Sequence, residues 1–229
     1  MTMANTQIKI GCVVMAAGSA SRFGENKLAA SAGGKTLIAR ALDAVPADML
    51  EAVCVVTRFR EFCEEAALRG FRWVWNGRPE DGISRPIRLG TEALAGTCDA
   101  IVYQVADQPH LKRESVAALV ELYRAHPGSI TALAHHGVRG NPCIFPRDLY
   151  PELCALSGDT GGAAVIKRHP DRLLLLEADA DELFDVDTPE ALQTISFSRT
   201  ACSQAAGCTA APRRTGNTRP RWRAPWGST

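Results

Sequence analysis

Two cationic residues, Arg22 and Lys27, stand in a segment of small residues that follows an apolar run. Residues 13–30 read VVMAAGSASRFGENKLAA, and the glycines Gly18 and Gly24 would let backbone N–H groups approach an anion closely. The guanidinium of Arg22 and the ammonium of Lys27 add positive charge that suits phosphate oxygens. The spacing fits neither a Walker loop nor a dinucleotide fingerprint. It predicts a phosphate-binding loop of another kind, and the alternative is a surface turn with two solvated cations.

The elements that must position this loop can be predicted from the period of the apolar residues. Apolar runs alternate with segments of helical spacing along the chain. This alternation predicts an α/β fold with a mostly parallel sheet covered on both faces, and ligands of such sheets bind beyond the carboxyl ends of the strands. The predicted strands are 8–15, 51–57, 71–75, 99–106, 129–135, 142–146 and 172–178, and the predicted helices are 35–45, 60–70, 83–94, 113–126 and 160–168.

The composition argues against several classes of protein. The chain has 229 residues, of which 46% are hydrophobic and 22% are charged, as in ordinary globular proteins. No apolar run reaches the roughly 18 residues of a membrane span, and the N-terminal segment lacks the features of a signal peptide, so we expect a cytoplasmic protein. The 8 cysteines form no C-x-x-C pair, which predicts reduced and mostly buried thiols rather than a zinc or redox site.

The net charge of +1 is unevenly distributed along the chain. Residues 197–229 contain arginines but no acidic residue, so residues 1–196 are net acidic. The segment has no apolar periodicity, and its composition predicts a basic, disordered tail after a single domain at 1–196. Nucleic-acid binding by the arginines and tryptophans of the tail is the less favoured interpretation.

Several short motifs together resemble those of a known family. Residues 16–27 match the pattern A-A-G-x-x-x-R-x-G-x-x-K, and VADQP at 105–109 resembles L-A-D-Q-P. The segments 76–90, 139–162 and 185–192 resemble N…G-x-S…G, R-G-N-P followed by G-D-x-G, and D-I-D-T-P-E-D. The combination resembles the MobA-like nucleotidyltransferases, in particular the molybdenum cofactor cytidylyltransferases. It implies a Rossmann-like three-layer nucleotidyltransferase fold.

The resemblance implies a nucleotidyl transfer reaction. A phosphate of an acceptor attacks the α-phosphate of a nucleoside triphosphate, and pyrophosphate leaves. Positioning and charge neutralisation serve this reaction more than covalent catalysis does, and the implied cofactor is Mg²⁺. The implied metal ligands are Asp107, which follows the predicted strand 99–106, and Asp187 of the closing motif. The alternative for Asp107 is a turn or helix-cap role, and for Asp187 it is capping of a helix that begins at Thr188.

The resemblance also implies which residues bind the nucleotide. Arg22 and Lys27 would hold the triphosphate and, with Asp107, form the catalytic set. Ala16, Ala17 and Gly18 would lie under the base, where Ala17 favours CTP over GTP. Further nucleotide-binding positions are Asn76, Gly82 and Ser84.

Two features of the sequence bear on the nucleotide-binding assignment, and a further motif concerns the acceptor. Ser84 could instead cap the helix that follows it. The dipeptide Arg85-Pro86 departs from the small residues that the family usually has there. The acceptor side is implied to be formed by Gly140, Asn141 and Pro142.

The resulting hypothesis is a CTP:molybdopterin cytidylyltransferase that forms molybdopterin cytosine dinucleotide and pyrophosphate. The expected partners are CTP or another NTP, a molybdopterin-type acceptor, and a molybdoenzyme or its maturation factor, with no membrane and no nucleic acid. The alternatives are a nucleotidyltransferase that uses GTP or a sugar or alditol phosphate, and a non-catalytic carrier of molybdenum cofactor.

Overall fold

The computed structural model describes residues 7–17, 26–32, 34–188 and 191. The predicted site residues Gly18 and Arg22 lie outside the described residues, as does the basic tail at 197–229. The roles of these residues, and the domain boundary at 196, therefore stay predictions.

Strands and helices alternate through most of the described chain. The strands are β1 Ile10–Ala16, β2 Ser31–Ala32, β3 Lys35–Thr36, β4 Ala52–Thr57, β5 Arg72–Trp75, β6 Ala100–Val105, β7 Ile130–His135, β8 Val138–Pro146 and β9 Leu173–Glu177. The α-helices are α1 Leu37–Asp43, α2 Arg60–Leu68, α3 Ser84–Leu94, α4 Arg113–Ala125, α5 Tyr150–Cys154 and α6 Ala163–Arg168.

Seven of these strands form one sheet in the order β5-β4-β1-β6-β8-β7-β9. Neighbouring strands are parallel except that β8 runs antiparallel to both β6 and β7. Strands β2 and β3 form a separate antiparallel pair. Because β1, β4, β5 and β6 are parallel neighbours, their carboxyl ends meet at one edge of the sheet, where α/β proteins bind ligands.

The central strands of the sheet are buried on both faces, as the alternation of strands and helices predicts. Along β1, Cys12 and Val14 pack into an apolar cluster with α1, α2 and α4. Val13 points the other way, into a cluster with α3, α5 and α6. Successive side chains of a strand point to opposite faces of the sheet. A strand that is buried on both faces therefore has apolar residues at nearly every position, as residues 10–16 do. The result is the three-layer fold expected.

Helix α3 lies unusually close to the sheet because of one glycine. A Cβ atom on Gly90 would lie 2.4 Å from Cγ1 of Val13 on β1, which is too close for two carbon atoms. Gly90 belongs to the N…G-x-S…G segment, so this part of the motif serves the packing of α3 against β1. Pro86 lies in the first turn of α3, where a proline is tolerated.

The predicted elements agree with the structure, with three differences. Strands β2 and β3 were not expected from the sequence, and β3 takes the first two residues of the predicted helix 35–45. Strand β8 begins at Val138 rather than at 142, because Val138 and Arg139 pair with His135 and Ala134 of β7, and the G-N-P segment lies at the register shift that follows. The short helix α5 was not expected from the sequence. Gly70, at φ 73°, ends α2 as predicted.

The described cysteines and helices also bear on the sequence predictions. Six cysteines are described, all are free, and five of them are buried, which confirms the expectation of mostly buried thiols for these six. In the part of the chain that the structure describes, no helix has the length and apolar character needed to cross a membrane.

Candidate active site

The candidate site begins with one lysine held at the carboxyl edge of the sheet. Lys27 lies in a short 3₁₀ turn, Lys27–Ala29, whose Leu28 is buried in the core. The Nζ atom of Lys27 donates to Oδ2 of Asp107 at 2.9 Å and to Oδ1 of Asp187 at 3.3 Å. It also donates to the carbonyl oxygen of Val186 at 2.9 Å. The fold therefore brings together the two carboxylates that the sequence separates by 80 positions, and it does so around one ammonium group.

The surroundings of Asp107 explain its position. It lies two residues after the end of β6, and its carbonyl oxygen accepts a hydrogen bond from the backbone N of Val186 at 3.0 Å. This bond ties the segment that carries Asp187 to the end of β6. Thr188 Oγ1 accepts a hydrogen bond from the N of Ala191 at 3.3 Å. The alternative cap role of Asp187 stays a prediction, because residues 189 and 190 lie outside the described residues.

The ion pairs keep Lys27 protonated. Burial by itself would lower the pKa of Lys27, but the carboxylates of Asp107 and Asp187 outweigh burial and raise this pKa above its usual value. A raised lysine pKa means that the stabilisation is present at neutral pH and is lost only as the pH rises through the raised value. The ammonium therefore carries its charge throughout the physiological range.

A third carboxylate adds to the negative charge around Lys27. Burial raises the pKa of Asp185, and the charges of Asp107 and Asp187 raise it further. We call Lys27 and the three aspartates Asp107, Asp185 and Asp187 the Lys27 cluster. Because Lys27 supplies one positive charge and pairs with two carboxylates, the cluster keeps an excess of negative charge. Such a cluster attracts a cation, and carboxylate oxygens are ligands that Mg²⁺ and Mn²⁺ prefer.

A cavity of about 280 Å³, the first chamber, opens beside this cluster. Lys27 and Asp107 line it together with Ala17, which follows β1. The opposite wall is formed by Pro79, Gly82, Ile83 and Pro86, and Asp159 also lines the cavity. Of the predicted nucleotide-binding residues that the structure describes, Ala17, Lys27 and Gly82 thus line one chamber.

Gly82 lies where its loop comes closest to the loop that contains Gly158 and Asp159. Its φ is 78°, and a Cβ atom there would lie 2.4 Å from the carbonyl carbon of Gly158 and 2.6 Å from Oδ1 of Asp159. The backbone N of Ser84 donates to the carbonyl oxygen of Gly158 at 3.1 Å. Only glycine fits at position 82, since the conformation and the close contact both exclude a side chain.

The other predicted nucleotide-binding residues lie behind the chamber wall. Ala16 is fully buried, and Asn76 is 1% exposed. Ser84 is the first residue of α3, with Ile83 at the N-cap position, and its Oγ donates to the carbonyl oxygen of Asp81 at 3.4 Å. The alternative that Ser84 caps this helix is therefore wrong.

A second chamber of about 180 Å³ adjoins the first and shares Met15, Ile83 and Val105 with it. Its further lining is mainly apolar and includes Tyr103 and Phe145, whose rings meet edge to face at a centroid distance of 5.7 Å. The hydroxyl of Tyr103 is already paired with Oγ1 of Thr91 at 2.6 Å. The chamber therefore presents ring faces and aliphatic groups rather than free hydroxyls.

The predicted acceptor-side residues lie around this second chamber in different roles. Asn141 lines it, together with Arg139 and Cys143. Gly140 faces the other way, since a Cβ atom there would lie 3.0 Å from Cδ1 of Leu183. Pro142 follows a cis peptide bond within β8.

Comparison with known proteins agrees with this geometry. Residues 12–173 match the model of the MobA-like NTP transferase domain. The purine catabolism protein PucB of Bacillus subtilis is 30% identical over 194 residues, which cover 78% of this chain and 91% of that protein. The chain belongs to the MobA-like NTP transferase family.

Solved structures show the same fold at lower sequence identity. A nucleotidyl transferase from Methanothermobacter is similar with a TM-score of 0.70 and 24% identity, covering 84% of this chain and 99% of that one. The Mycobacterium tuberculosis protein Rv0371c, solved in complex with manganese, has a TM-score of 0.67 and 22% identity, covering 83% and 99% of the two chains. The mostly parallel sheet with helices on both faces is thus the nucleotidyltransferase fold.

Within this MobA-like NTP transferase, three site features were not predicted from the sequence. Asp185 joins the Lys27 cluster, Asp159 lines the first chamber, and Arg85 contacts Asn76. Asp185 could have been recognised from its spacing, since it lies two positions before Asp187. The contact of Arg85 depends on how a loop folds back on α3, and no sequence pattern indicates it.

The metal-binding capacity of the MobA-like NTP transferase can be judged from its side chains. Within the described ranges, no group of three or more His, Cys, Asp and Glu side chains is arranged to hold a metal ion. Asp107 and Asp187 are two such side chains, and both contact one Nζ atom. Two carboxylates fit the usual protein contribution to a magnesium site, in which substrate phosphates and water supply the remaining ligands.

Proposed function

We propose that this protein is a CTP:molybdopterin cytidylyltransferase that depends on a divalent metal ion, preferably Mg²⁺. The acceptor's terminal phosphate oxygen forms a bond to the α-phosphorus of CTP, and the bond from this phosphorus to the bridging oxygen of the β-phosphate breaks, releasing pyrophosphate. The observation that carries the proposal is the Lys27 cluster with Asp107 and Asp187 at the mouth of a two-chamber cavity. A carrier without catalysis would have no need for this cluster.

The charged residues have distinct roles in this proposal. Lys27 supplies a permanent positive charge beside the triphosphate, and Arg22 supplies a second. Asp107 and Asp187 would hold the metal ion, which neutralises charge on the phosphates when it is bound. The acceptor phosphate is already an oxyanion, so the chain's task is to bring it into line with the α-phosphorus rather than to remove a proton.

The choice of nucleotide rests on the floor of the first chamber. Ala17 lines this chamber and is 5% exposed, so the methyl group of Ala17 limits the room for a base. A cytosine is smaller than a guanine, and the A-A-G motif resembles that of cytidylyltransferases. These two points support CTP over GTP.

The choice of acceptor is supported by the second chamber. Sugar and alditol phosphates carry many hydroxyl groups, and a buried hydroxyl without a partner is costly. Among the residues lining this chamber, Arg139 and Asn141 carry the polar side-chain groups that are best placed to bond a ligand. A flat ring system with a few hydrogen-bonding groups, as in a pterin, suits such a lining better than a polyol.

The proposal predicts a measurable preference for CTP. With Mg²⁺ present, isothermal titration calorimetry of the full chain should give a Kd for CTP at least about tenfold lower than the Kd for GTP, because one mismatched group in a close-fitting pocket costs about 1–3 kcal/mol. The variant Ala17→Gly should reduce this ratio. Tighter binding of GTP would contradict the base assignment, and binding of neither nucleotide would contradict the function.

A further inference from the structure

Arg85 stands where the family usually has a small residue, and its side chain makes two specific contacts. Nε of Arg85 donates to Oδ1 of Asn76 at 2.9 Å. Nη1 of Arg85 donates to Oδ2 of Asp81 at 3.0 Å. Arg85 thus connects the first turn of α3 to both ends of the loop that runs from Asn76 to Asp81.

The contact with Arg85 determines which way the Asn76 amide faces. A guanidinium group only donates hydrogen bonds, so the atom of Asn76 that faces Nε must be the carbonyl oxygen Oδ1. The backbone N of Arg78 also donates to this oxygen, at 3.4 Å. Both bonds engage the carbonyl end of the amide, so the Asn76 side chain is held in one orientation between the loop and α3.

The contacts of Arg85 with Asn76 and Asp81 also hold the loop that forms one wall of the first chamber. The loop is tied to β4, because the N of Asn76 donates to the carbonyl oxygen of Thr57 at 2.7 Å. From there it leads through Pro79 to Gly82, and both of these residues line the chamber, as does Pro86 next to Arg85. The Arg85 side chain is 18% exposed, so its bonds are shielded from most of the solvent. A shift of the loop would change the width of the chamber.

We propose that Arg85 is a positioning residue that sets the nucleotide-binding wall of this protein. It fixes the side chains of Asn76 and Asp81 at the two ends of the loop, and it thereby holds Pro79 and Gly82 in the wall of the first chamber. This role rests on the proposed function, since it concerns how the nucleotide is held. Arg85 takes no part in the transfer step itself, so its effect falls on nucleotide affinity.

The test compares Arg85→Ala with Arg88→Ala. Arg88 lies on the same helix, and among the described residues no hydrogen bond or ion pair joins it to the loop. Its replacement by Ala makes the same change in charge. In Arg85→Ala we expect the Kd for CTP with Mg²⁺ to rise by about tenfold or more, since a partly buried, charged hydrogen-bond donor that holds the wall is lost. Pyrophosphate release at saturating CTP should change by less than about twofold. Arg88→Ala should match the parent protein in both measurements.

The possible results distinguish a failure of the role of Arg85 from a failure of the proposed function. If the parent binds CTP and Arg85→Ala binds it equally well, the role of Arg85 is overturned. A loss of turnover at saturating CTP without a change in Kd also overturns it, because that result would place Arg85 in the chemistry. If the parent binds neither CTP nor GTP, the proposed function fails, and the role of Arg85 fails with it.

A second variant keeps the test decisive if Arg85→Ala does not fold. Arg85→Lys keeps the charge but replaces the planar fork by a single ammonium, so it cannot reproduce both contacts. With an unchanged melting temperature, this variant should raise the Kd for CTP by about threefold. An unchanged Kd in a folded Arg85→Lys protein would overturn the proposal.

Discussion

Replacing Asp107 by Asn should lower the rate of pyrophosphate release by about 100-fold or more while the protein remains folded. Asparagine has almost the same size as aspartate but carries no charge. The change removes one of the two carboxylates that pair with Lys27, at 2.9 Å, and weakens the attraction for a divalent cation. The side chain of Asp107 is only 23% exposed, so solvent screens its charge weakly. The corresponding change Asp187→Asn should have a smaller effect, because Asp187 is 68% exposed and lies 3.3 Å from Nζ.

A matched control lies at the other end of the same strand. Asp99 precedes β6 and pairs with Arg147 at 3.2 Å, and Asp107 follows β6 at the carboxyl edge. Asp99→Asn makes the same chemical change far from the Lys27 cluster and should leave turnover unchanged. Circular dichroism and thermal unfolding would show that both variants are folded. Normal turnover in Asp107→Asn would refute the role of this carboxylate.

Replacing Gly82 by Ala should destabilise the fold by about 1–3 kcal/mol and weaken CTP binding by about tenfold or more. The added Cβ would lie 2.4 Å from the carbonyl carbon of Gly158 and 2.5 Å from its oxygen. These are backbone atoms, so no side-chain rotation relieves the contact, and one of the two loops must move. Either movement distorts the wall of the first chamber, which Gly82 lines.

Gly77 offers a control within the same loop. A Cβ atom on Gly77 would have its nearest neighbour at 3.5 Å, an atom of Trp75, which is an ordinary van der Waals distance. Gly77→Ala should therefore change stability and CTP affinity little. Urea denaturation gives the free energy of unfolding, and calorimetry on the folded variants gives the affinity. If Gly82→Ala behaves like Gly77→Ala in both measurements, the loop contact described for Gly82 is incorrect.

The sheet could be predicted from the sequence because its central strands are buried on both faces. A strand such as β1 is apolar at nearly every position, and helical segments follow at regular intervals. The start of β8 could not be predicted in this way. Val138 and Arg139 belong to β8 because they pair with His135 and Ala134 of β7, and pairing with a neighbouring strand leaves no mark on the local composition.

Part of the candidate site could be predicted from the sequence. The rest could not, for the same physical reason as the start of β8. Asp107 could be placed at a ligand-binding edge because it follows a buried strand. Lys27 was expected to contact phosphate, and the structure adds its bonds to Asp107 and Asp187. The contact of Arg85 with Asn76 and that of Gly82 with Gly158 join segments that are distant along the chain or folded back on each other. Such contacts follow from the packed fold and not from the spacing of residues.

Pyrophosphate release by the purified full chain tests the central claim most directly. The reaction would contain CTP and Mg²⁺ with one acceptor at a time: molybdopterin-type cofactor, a sugar phosphate or an alditol phosphate. We predict release of pyrophosphate only when CTP and the pterin acceptor are both present, with formation of one cytosine dinucleotide per pyrophosphate. Release with a sugar or alditol phosphate instead, or binding of the pterin cofactor without any pyrophosphate, would contradict this account.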